Sequence, residues 1–322
     1  MSMFIRSKDK APQLRSMTRD DMEEVREVGQ IAWSDLATHD IGRKFKYPKR
    51  SERIIDAYLS NEPGGCIVAE EDGKIIGSAF AHVWGRIGWI GPLEVLPACQ
   101  SHGVGKLLLG ASEQHLRERG CEIIGLETMS HIPKHIHFYM SSGYRPSSLI
   151  LIVEKVLRYE GRSTASVVEP GGAGIEGAMP AISRLSAKVN PLLDYSREAA
   201  VTVGKRLGNV YIFEEGGEAR GAAIMHSYQR GEEASYSSIK ALLVDPQAPN
   251  PLEIMSSLLS KCEQVSLEQG KNRLLTRFSG DHLQLYNVLL SHDYMLKGAN
   301  VRMTKLGDYR ENGSYHITSW AG

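Results

Sequence analysis

The chain reads as one unit written twice. "EEDGKIIGSA" at Glu70–Ala79 resembles "EEGGEARGAA" at Glu214–Ala223, and "LEVLP" at Leu93–Pro97 resembles "LLVDP" at Leu242–Pro246. A helix closed by glycine follows in each, "HLRERG" at Gly120 and "VSLEQG" at Gly270, where a residue of positive φ belongs. Each copy then has a strand and a helix ending in "SSGY" at Tyr144 or "SHDY" at Tyr294. The four landmarks are 144, 149, 150 and 150 residues apart. One short match arises by chance; four in order, with a slowly drifting offset, indicate a duplicated domain. The glycine-rich "EPGGAGIEGAMP" at Glu169–Pro180 divides the copies. The expected division is a first domain over 1–160, a linker over 161–180 and a second domain over 181–322.

The 322 residues suffice for two such domains, and 42% hydrophobic residues give each a core. Lys plus Arg is 38 and Asp plus Glu is 38, so whole-chain charge offers no argument for a nucleic acid or an anionic membrane as partner. The four cysteines, Cys66, Cys99, Cys121 and Cys262, form no CxxC pair and read as free thiols. The N-terminus lacks a signal-peptide apolar core and no run is long enough to span a membrane, so the default expectation is cytoplasmic.

In the first copy, Leu14–Ser16 reads as a short strand and "TRDDMEEVREVGQIAWSDL" as an amphipathic helix with Met22, Val25, Val28, Ala32 and Leu36 on one face. Ser51 opens a second helix. Cys66–Glu70, Lys74–Trp84 and Ile87–Leu96 read as an antiparallel meander. A helix to Arg119, a strand at Glu122–Thr128, a helix around Pro133–Ser142 and a strand at Leu149–Val156 complete the unit. The expected fold class is α/β (α+β), each copy a mixed, mostly antiparallel twisted sheet flanked by helices.

"QSHGVGKLLLG" at Gln100–Gly110 is written like a phosphate-holding loop. A triphosphate loop would need glycine at Gln100 and a hydroxyl at Leu107; a dinucleotide fingerprint would need glycine at Leu108. What remains is Q-x-x-G-x-G, with Gln100, Gly103 and Gly105 placed between a strand and a helix. The glycines let the backbone approach an anion, and the free N–H groups of the first helical turn point at it.

Strand, Q-x-x-G-x-G, helix, strand and a helix carrying "FYMSSGY" together resemble the GNAT N-acetyltransferase superfamily, over Leu14 to about Val156 and more weakly over Leu185–Lys305. The resemblance implies an enzyme that carries acetyl from acetyl-CoA to a primary amine. Its cofactor-binding residues would be Val95, Gln100, Ser101, His102, Gly103, Val104, Gly105 and Lys106. A main-chain N–H near Val95, where the strand splays from its neighbour, would polarise the thioester carbonyl. Tyr139 lies where the family's tyrosine acid lies, and an ordinary phenol is protonated at neutral pH; the alternative is an aromatic packed on the sheet. Glu94 is the candidate base and Glu127 in "GLETM" the second candidate, either acting directly or through water; a strand carboxylate paired with a basic residue is the competing reading of Glu94. Where the family often has asparagine before the helix-opening proline, this chain has Ile132.

His131, His135 and His137 include an i, i+4 pair, but His137 projects about 200° away from His135 on a helix, so no metal is expected. The basic, aromatic "GRKFKYPKRSER" at Gly42–Arg53 lies where the family forms its acceptor site. It reads either as an attractor for acidic groups or as a solvated loop. Trp84 and Trp89 either line that pocket or fill the core of the meander.

Aligned on Pro97 and Pro246, "ACQSHGVGK" becomes "QAPNPLEIM". Both glycines are gone, and Pro249 and Pro251 remove N–H donors. Glu94 corresponds to Leu243 and Tyr139 to Leu289. The second copy is therefore expected to be structural, to complete the acceptor pocket or to form an oligomer interface such as a homodimer. A non-catalytic acyl-CoA-binding sensor and an interaction scaffold are the rival readings. Small amine, antibiotic, peptide N-terminus and lysine side chain all stay open as acceptors.

Overall fold

A computed structural model describes residues 11–42, 44–159, 166–170, 174–227 and 235–320, and over them the order of elements repeats. The first half runs β1 (Gln13–Ser16), α1 (Met22–Ile41), α2 (Glu52–Asn61), β2 (Cys66–Glu71), β3 (Lys74–Trp84), β4 (Ile87–Val95), α3 (Val104–Glu118), β5 (Ile123–Met129), α4 (Pro133–Ser141) and β6 (Arg145–Val156). The second half runs β7 (Val167–Val168), α5 (Ile175–Val189), α6 (Ser196–Gly204), β8 (Gly208–Glu215), β9 (Glu218–His226), β10 (Tyr236–Val244), α7 (Pro251–Glu268), β11 (Arg273–Ser279), α8 (Leu283–Ser291) and β12 (Met295–Leu306). A short strand without a counterpart, β13 (Ile317–Thr318), ends the chain. β7 and the first turns of α5 lie inside the glycine-rich 161–180 stretch; residues 160–165 and 171–173 of that region fall outside the described residues. Among the described residues no helix is long and apolar enough to cross a membrane.

The two halves share one sheet. Its order is β1-β2-β3-β4-β5-β12-β6-β11-β10-β9-β8-β7, which reads the same from either end once each strand is replaced by its repeat. The two last strands have changed places: β12 lies against β5 of the first half, and β6 lies against β11 of the second. They pair with each other antiparallel, with Ile150 opposite Asn300 at the centre. One sheet face carries α3, α4, α7 and α8, packed on Leu126 and Met303 in one half and on Val153 and Phe278 in the other. The opposite face carries α1 and α2, and then α5 and α6; Ile54 and Ala57 of α2 pack with Val201 of α6 and with Leu207 just beyond it.

A buried charged group pins each exchanged strand. Lys155 on β6 donates to Glu263 on α7 at 2.9 Å, and Tyr294 donates to the same carboxylate at 3.0 Å. One repeat away, Lys305 on β12 donates to Glu113 on α3 at 2.6 Å, with its ammonium 5.7 Å from the centre of the Tyr144 ring. The three pairs of equivalent residues, 155 and 305, 113 and 263, 144 and 294, share one offset of 150. Both lysines therefore cross from the half that encodes them to a carboxylate of the other half.

On the face of α5 and α6 the first half's β3–β4 hairpin docks onto the second half. Arg86 N donates to Leu192 O at 2.7 Å, and Trp84 Nε1 donates to Glu198 at 3.0 Å. Trp84 and Trp89, both buried, pack with Tyr195 and Trp320 in a core made by both halves, which settles their role as core. Removing Lys155 takes from the buried Glu263 carboxylate the ammonium bonded to it at 2.9 Å. Lys155→Met is expected to lower stability to chemical denaturation by about 3–5 kcal/mol. Lys305→Met is expected to cost less, because the Lys305 side chain is 28% exposed against 2% for Lys155.

Candidate active site

β4 runs parallel to β5 only from Ile87 and Ile123 to Ile90 and Leu126, and then leaves it. The departure coincides with a bulge, in which Gly91 and Pro92 oppose the single residue Phe80 of β3. His82 on β3 holds the bulge, its Nε2 lying 2.7 Å from Gly91 O. Beyond the bulge Val95 lies opposite Gly77, and Leu96 N donates to Ile76 O at 2.9 Å. In an antiparallel pair this alternation turns the N–H and C=O of Val95 away from β3, into the gap left by β5. Gln100 Nε2 donates to Val95 O at 3.1 Å. The side chain of Gln100 thus ties the end of the strand to the loop, and the N–H of Val95 faces the gap.

The loop then turns through two left-handed residues, Ser101 at φ 63° and Gly103 at φ 87°, and α3 starts at Val104. Gly103 is required here because residues with a Cβ rarely adopt that conformation. After Gln100 the next main-chain donor with a main-chain acceptor is Leu107, which bonds Gly103 O at 3.0 Å. The N–H groups of Val104, Gly105 and Lys106 are the orphan donors of a helix N-terminus. Buried Val104 and Leu108 anchor the turn, while Ser101, His102, Gly103 and Lys106 are exposed. Gly105 lies against the Phe138 ring, where an added Cβ would meet Cζ at 3.4 Å. The loop and α4 are therefore in contact.

Tyr139 on α4 is half-buried, with its ring 4.9 Å from Phe138 and 5.9 Å from Tyr144. Its hydroxyl has no hydrogen-bond partner among the described residues. Burial pushes its pKa up to about 12. Ile132 caps α4 and is buried.

The two candidate carboxylates sit on the opposite sheet face in different settings. Glu94 is buried, and both its oxygens are engaged: Trp33 Nε1 donates to Oε1 at 2.6 Å, Arg50 Nη2 to Oε1 at 3.0 Å and Arg50 Nη1 to Oε2 at 3.2 Å. Gly29 on α1 leaves the space Glu94 occupies; a Cβ there would meet Oε2 at 2.8 Å. A cavity of about 10 Å³ between Glu94, Trp33, Tyr47 and Arg50 has room for one water. Glu94 thus fastens α1 and the segment before α2 to the sheet. Glu127 on β5 accepts from Arg302 of β12 on Oε1 only, at 2.8 and 3.1 Å. Its Oε2 is buried and has no hydrogen-bond partner among the described residues. The pairing of Glu127 to a residue of the second half has no signal in the sequence, because it depends on the exchange of β6 and β12.

In the segment before α2, Lys49 pairs with Glu23 and Glu27, and Arg50 with Glu94, so part of the basic stretch is spent on packing; residue 43 lies outside the described residues. Lys44, Phe45 and Lys46 are exposed, and Tyr47 stacks on Trp33. Among the described residues no group of three His, Cys, Asp or Glu side chains could hold a metal ion.

The corresponding gap of the second half is filled. β10 and β11 separate after Ser238 and Leu275, and β13 enters beside β10, with Ile317 opposite Leu242 and Thr318 opposite Ala241. Ser319 N donates to Lys240 O at 3.0 Å, and Arg277 reaches Ser319 Oγ at 3.3 Å. The chain's own C-terminal strand takes the hydrogen-bonding edge that stays open at Val95.

The clamp at Glu94 makes a prediction about stability. Glu94→Gln leaves Arg50 buried and uncompensated, with an expected loss of about 3–5 kcal/mol in a denaturation experiment. A lowered kcat at unchanged stability would assign the carboxylate to chemistry instead.

Comparison with known proteins meets this geometry. Residues 26–144 match the model of the acetyltransferase (GNAT) family. A curated relative, N-alpha-acetyltransferase 60 of Danio rerio, is 28% identical over 144 residues, which is 41% of this chain and 59% of that protein. A putative acetyltransferase from Pyrococcus horikoshii has the same fold over 99% of both chains, at 15% identity and a TM-score of 0.69. A tandem GNAT protein from the clavulanic acid biosynthesis pathway matches over 94% of this chain and 99% of its own, at 14% identity and a TM-score of 0.58. The chain, two repeats of one mixed sheet, has the fold of tandem GNAT proteins over nearly its whole length, and its residues 26–144 match the model of the acetyltransferase (GNAT) family.

Proposed function

We propose that the first half transfers acetyl from acetyl-CoA to a primary amine and that the second half performs no transfer of its own. One observation carries this reading: the open gap at Val95, the glycine-loop helix terminus and Tyr139 occur together in the first half, while β13 fills the equivalent gap of the second. The orphan N–H groups of Val104, Gly105 and Lys106 suit the pyrophosphate of a coenzyme A thioester. Acetyl-CoA supplies the activated acyl group. The N–H of Val95 is the donor available to its carbonyl oxygen. Tyr139, protonated and with its hydroxyl uncommitted, donates a proton to the departing thiolate.

For the base, Glu127 is favoured over Glu94, because one Glu127 oxygen is uncommitted and both Glu94 oxygens are taken. Glu127 takes the amine's proton through an intervening water. Glu94 then serves the acceptor side by holding Trp33 and Arg50, and through Trp33 the stacked Tyr47 that follows the exposed Phe45 and Lys46, in place. The name of the curated relative makes the α-amine of a polypeptide the first acceptor class to test, ahead of lysine side chains and small amines.

Tyr139→Phe is expected to lower kcat by about 100-fold with little change in the KM for acetyl-CoA, measured by thiol release with a panel of peptides. A wild-type rate in that variant would remove the acid role. With Tyr139 titrating only near pH 12, the wild-type rate is expected to show no fall assignable to this phenol below about pH 10. Calorimetry is expected to find one coenzyme A bound per chain, abolished by Gly103→Val. Two sites per chain would contradict a filled second gap, and tight binding without transfer to any amine would favour a sensor.

A further inference from the structure

The repeats sort the buried charges into two kinds. The Lys–Glu–Tyr groups occur twice, once in each half. The pair of Glu127 and Arg302 occurs once. One repeat from Glu127 stands Arg277, and one repeat from Arg302 stands Ile152; these two also face each other, on β11 and β6. An ion pair needed to join exchanged strands would be expected on both sides of the symmetric sheet. This one is confined to the half that keeps the glycine loop and Tyr139.

Arg302 is held with unusual completeness. Its side chain is 2% exposed. Trp89, Tyr309 and Trp320 surround the guanidinium, with ring centres at 5.4, 5.4 and 4.2 Å. Beyond its two bonds to Glu127 Oε1 it donates to Thr318 O at 3.0 Å. Two of the three rings and the carbonyl come from the C-terminal segment that includes the β13 plug. The strand filling the second half's gap therefore also fixes the cation that faces the first half's carboxylate. A planar guanidinium boxed by aromatic faces cannot swing away, so it commits Oε1 and leaves Oε2 with its lone pairs uncommitted.

We propose that Arg302, supplied by the second half, is a positioning residue for the acetyl transfer of the first half, holding Glu127 oriented so that Oε2 accepts the proton of the amine. The proposal rests on the reading of Glu127 as the base. It gives the second half a part in the reaction although it has lost its own glycine loop and tyrosine. Lys240 on β10 and Arg277 on β11 also act on the charge of Glu127 from the same face, and Glu311 acts on Arg302. Among the described residues Arg302 alone bonds Glu127 directly.

The test is a double-mutant cycle on the full chain with acetyl-CoA and a peptide acceptor, read as kcat, KM for acetyl-CoA and the pH profile of kcat/KM. Arg302→Met is expected to lower kcat by at least 10-fold, to leave the KM for acetyl-CoA within about threefold, and to move the acid limb of the profile upward by about one pH unit, since the carboxylate loses its adjacent cation. Arg302→Lys is expected to restore the acid limb in part. On a Glu127→Gln background, Arg302→Met is expected to add almost nothing to the loss in kcat. That double variant also buries no unpaired charge, so it keeps the cycle readable if the single variant is poorly folded; Glu127→Gln is then compared with Arg302→Lys. Lys155→Met, which loosens the same inter-half junction away from Glu127, is expected to lower stability and leave the acid limb in place. An unmoved acid limb in Arg302→Met and Arg302→Lys, or losses that multiply in the double variant, would overturn the positioning role. A wild-type rate in Glu127→Gln would instead remove the base reading itself.

Discussion

Everything in this molecule depends on the exchange of its two central strands. β6 leaves the half that encodes it to pair with β11, and β12 returns to pair with β5. Neither sheet has a free central edge once this is done, so an edge that would otherwise invite pairing with another chain is consumed inside the molecule. The two lysines, one buried and one half-buried, state the same constraint in charge. Lys155 and Lys305 each end on a buried carboxylate of the other half, and burying either carboxylate without its lysine would be strongly unfavourable. The halves are thus not beads on a linker; each is completed by a strand and a cation from its sister.

That junction separates what the two halves share from what one half alone has. Features present at both equivalent positions, such as the exchanged strands, their Lys–Glu–Tyr groups and the gap where the fourth strand of a half leaves the fifth, belong to the architecture. Features present at one position only are the glycine loop, Tyr139, Glu94 with Arg50, and Glu127 with Arg302; all gather around the gap that stays open. The second gap is closed by β13. The same C-terminal segment contributes Trp320 and Tyr309 to the cage of Arg302, so closing one gap and furnishing the other are accomplished by one stretch of chain.

The parts of the site legible in the sequence are those written in local backbone chemistry. Gly103 announces a left-handed turn, the run after it an amphipathic helix, and "FYMSSGY" a helix with an aromatic at a fixed distance from its end; each is decided within a few residues. The carboxylates were less legible. Glu94 and Glu127 both alternate onto the same face of neighbouring strands, and strand periodicity cannot distinguish a carboxylate with two bonded oxygens from one with an uncommitted oxygen. The side chain of Gln100 was placed in the phosphate loop by its motif, yet it bonds the carbonyl of Val95, a contact set by how the loop folds back.

By itself the sequence determined the duplication, the class of the fold, the glycine loop and which half kept it, because repeats, turn residues and apolar periodicity are local properties. Only the tertiary structure decided that the two sheets are one, that β13 closes the second gap, and that Glu94 is fastened by Arg50 while Glu127 faces an arginine from the other half. Those are choices of strand partner. A strand's pattern states which face it buries but not which edge it joins, and two copies of one unit carry nearly the same pattern. The choice between self-pairing and exchange was left to contacts about 150 residues apart, such as Lys155 with Glu263 and Lys305 with Glu113, which exist only once the chain has closed.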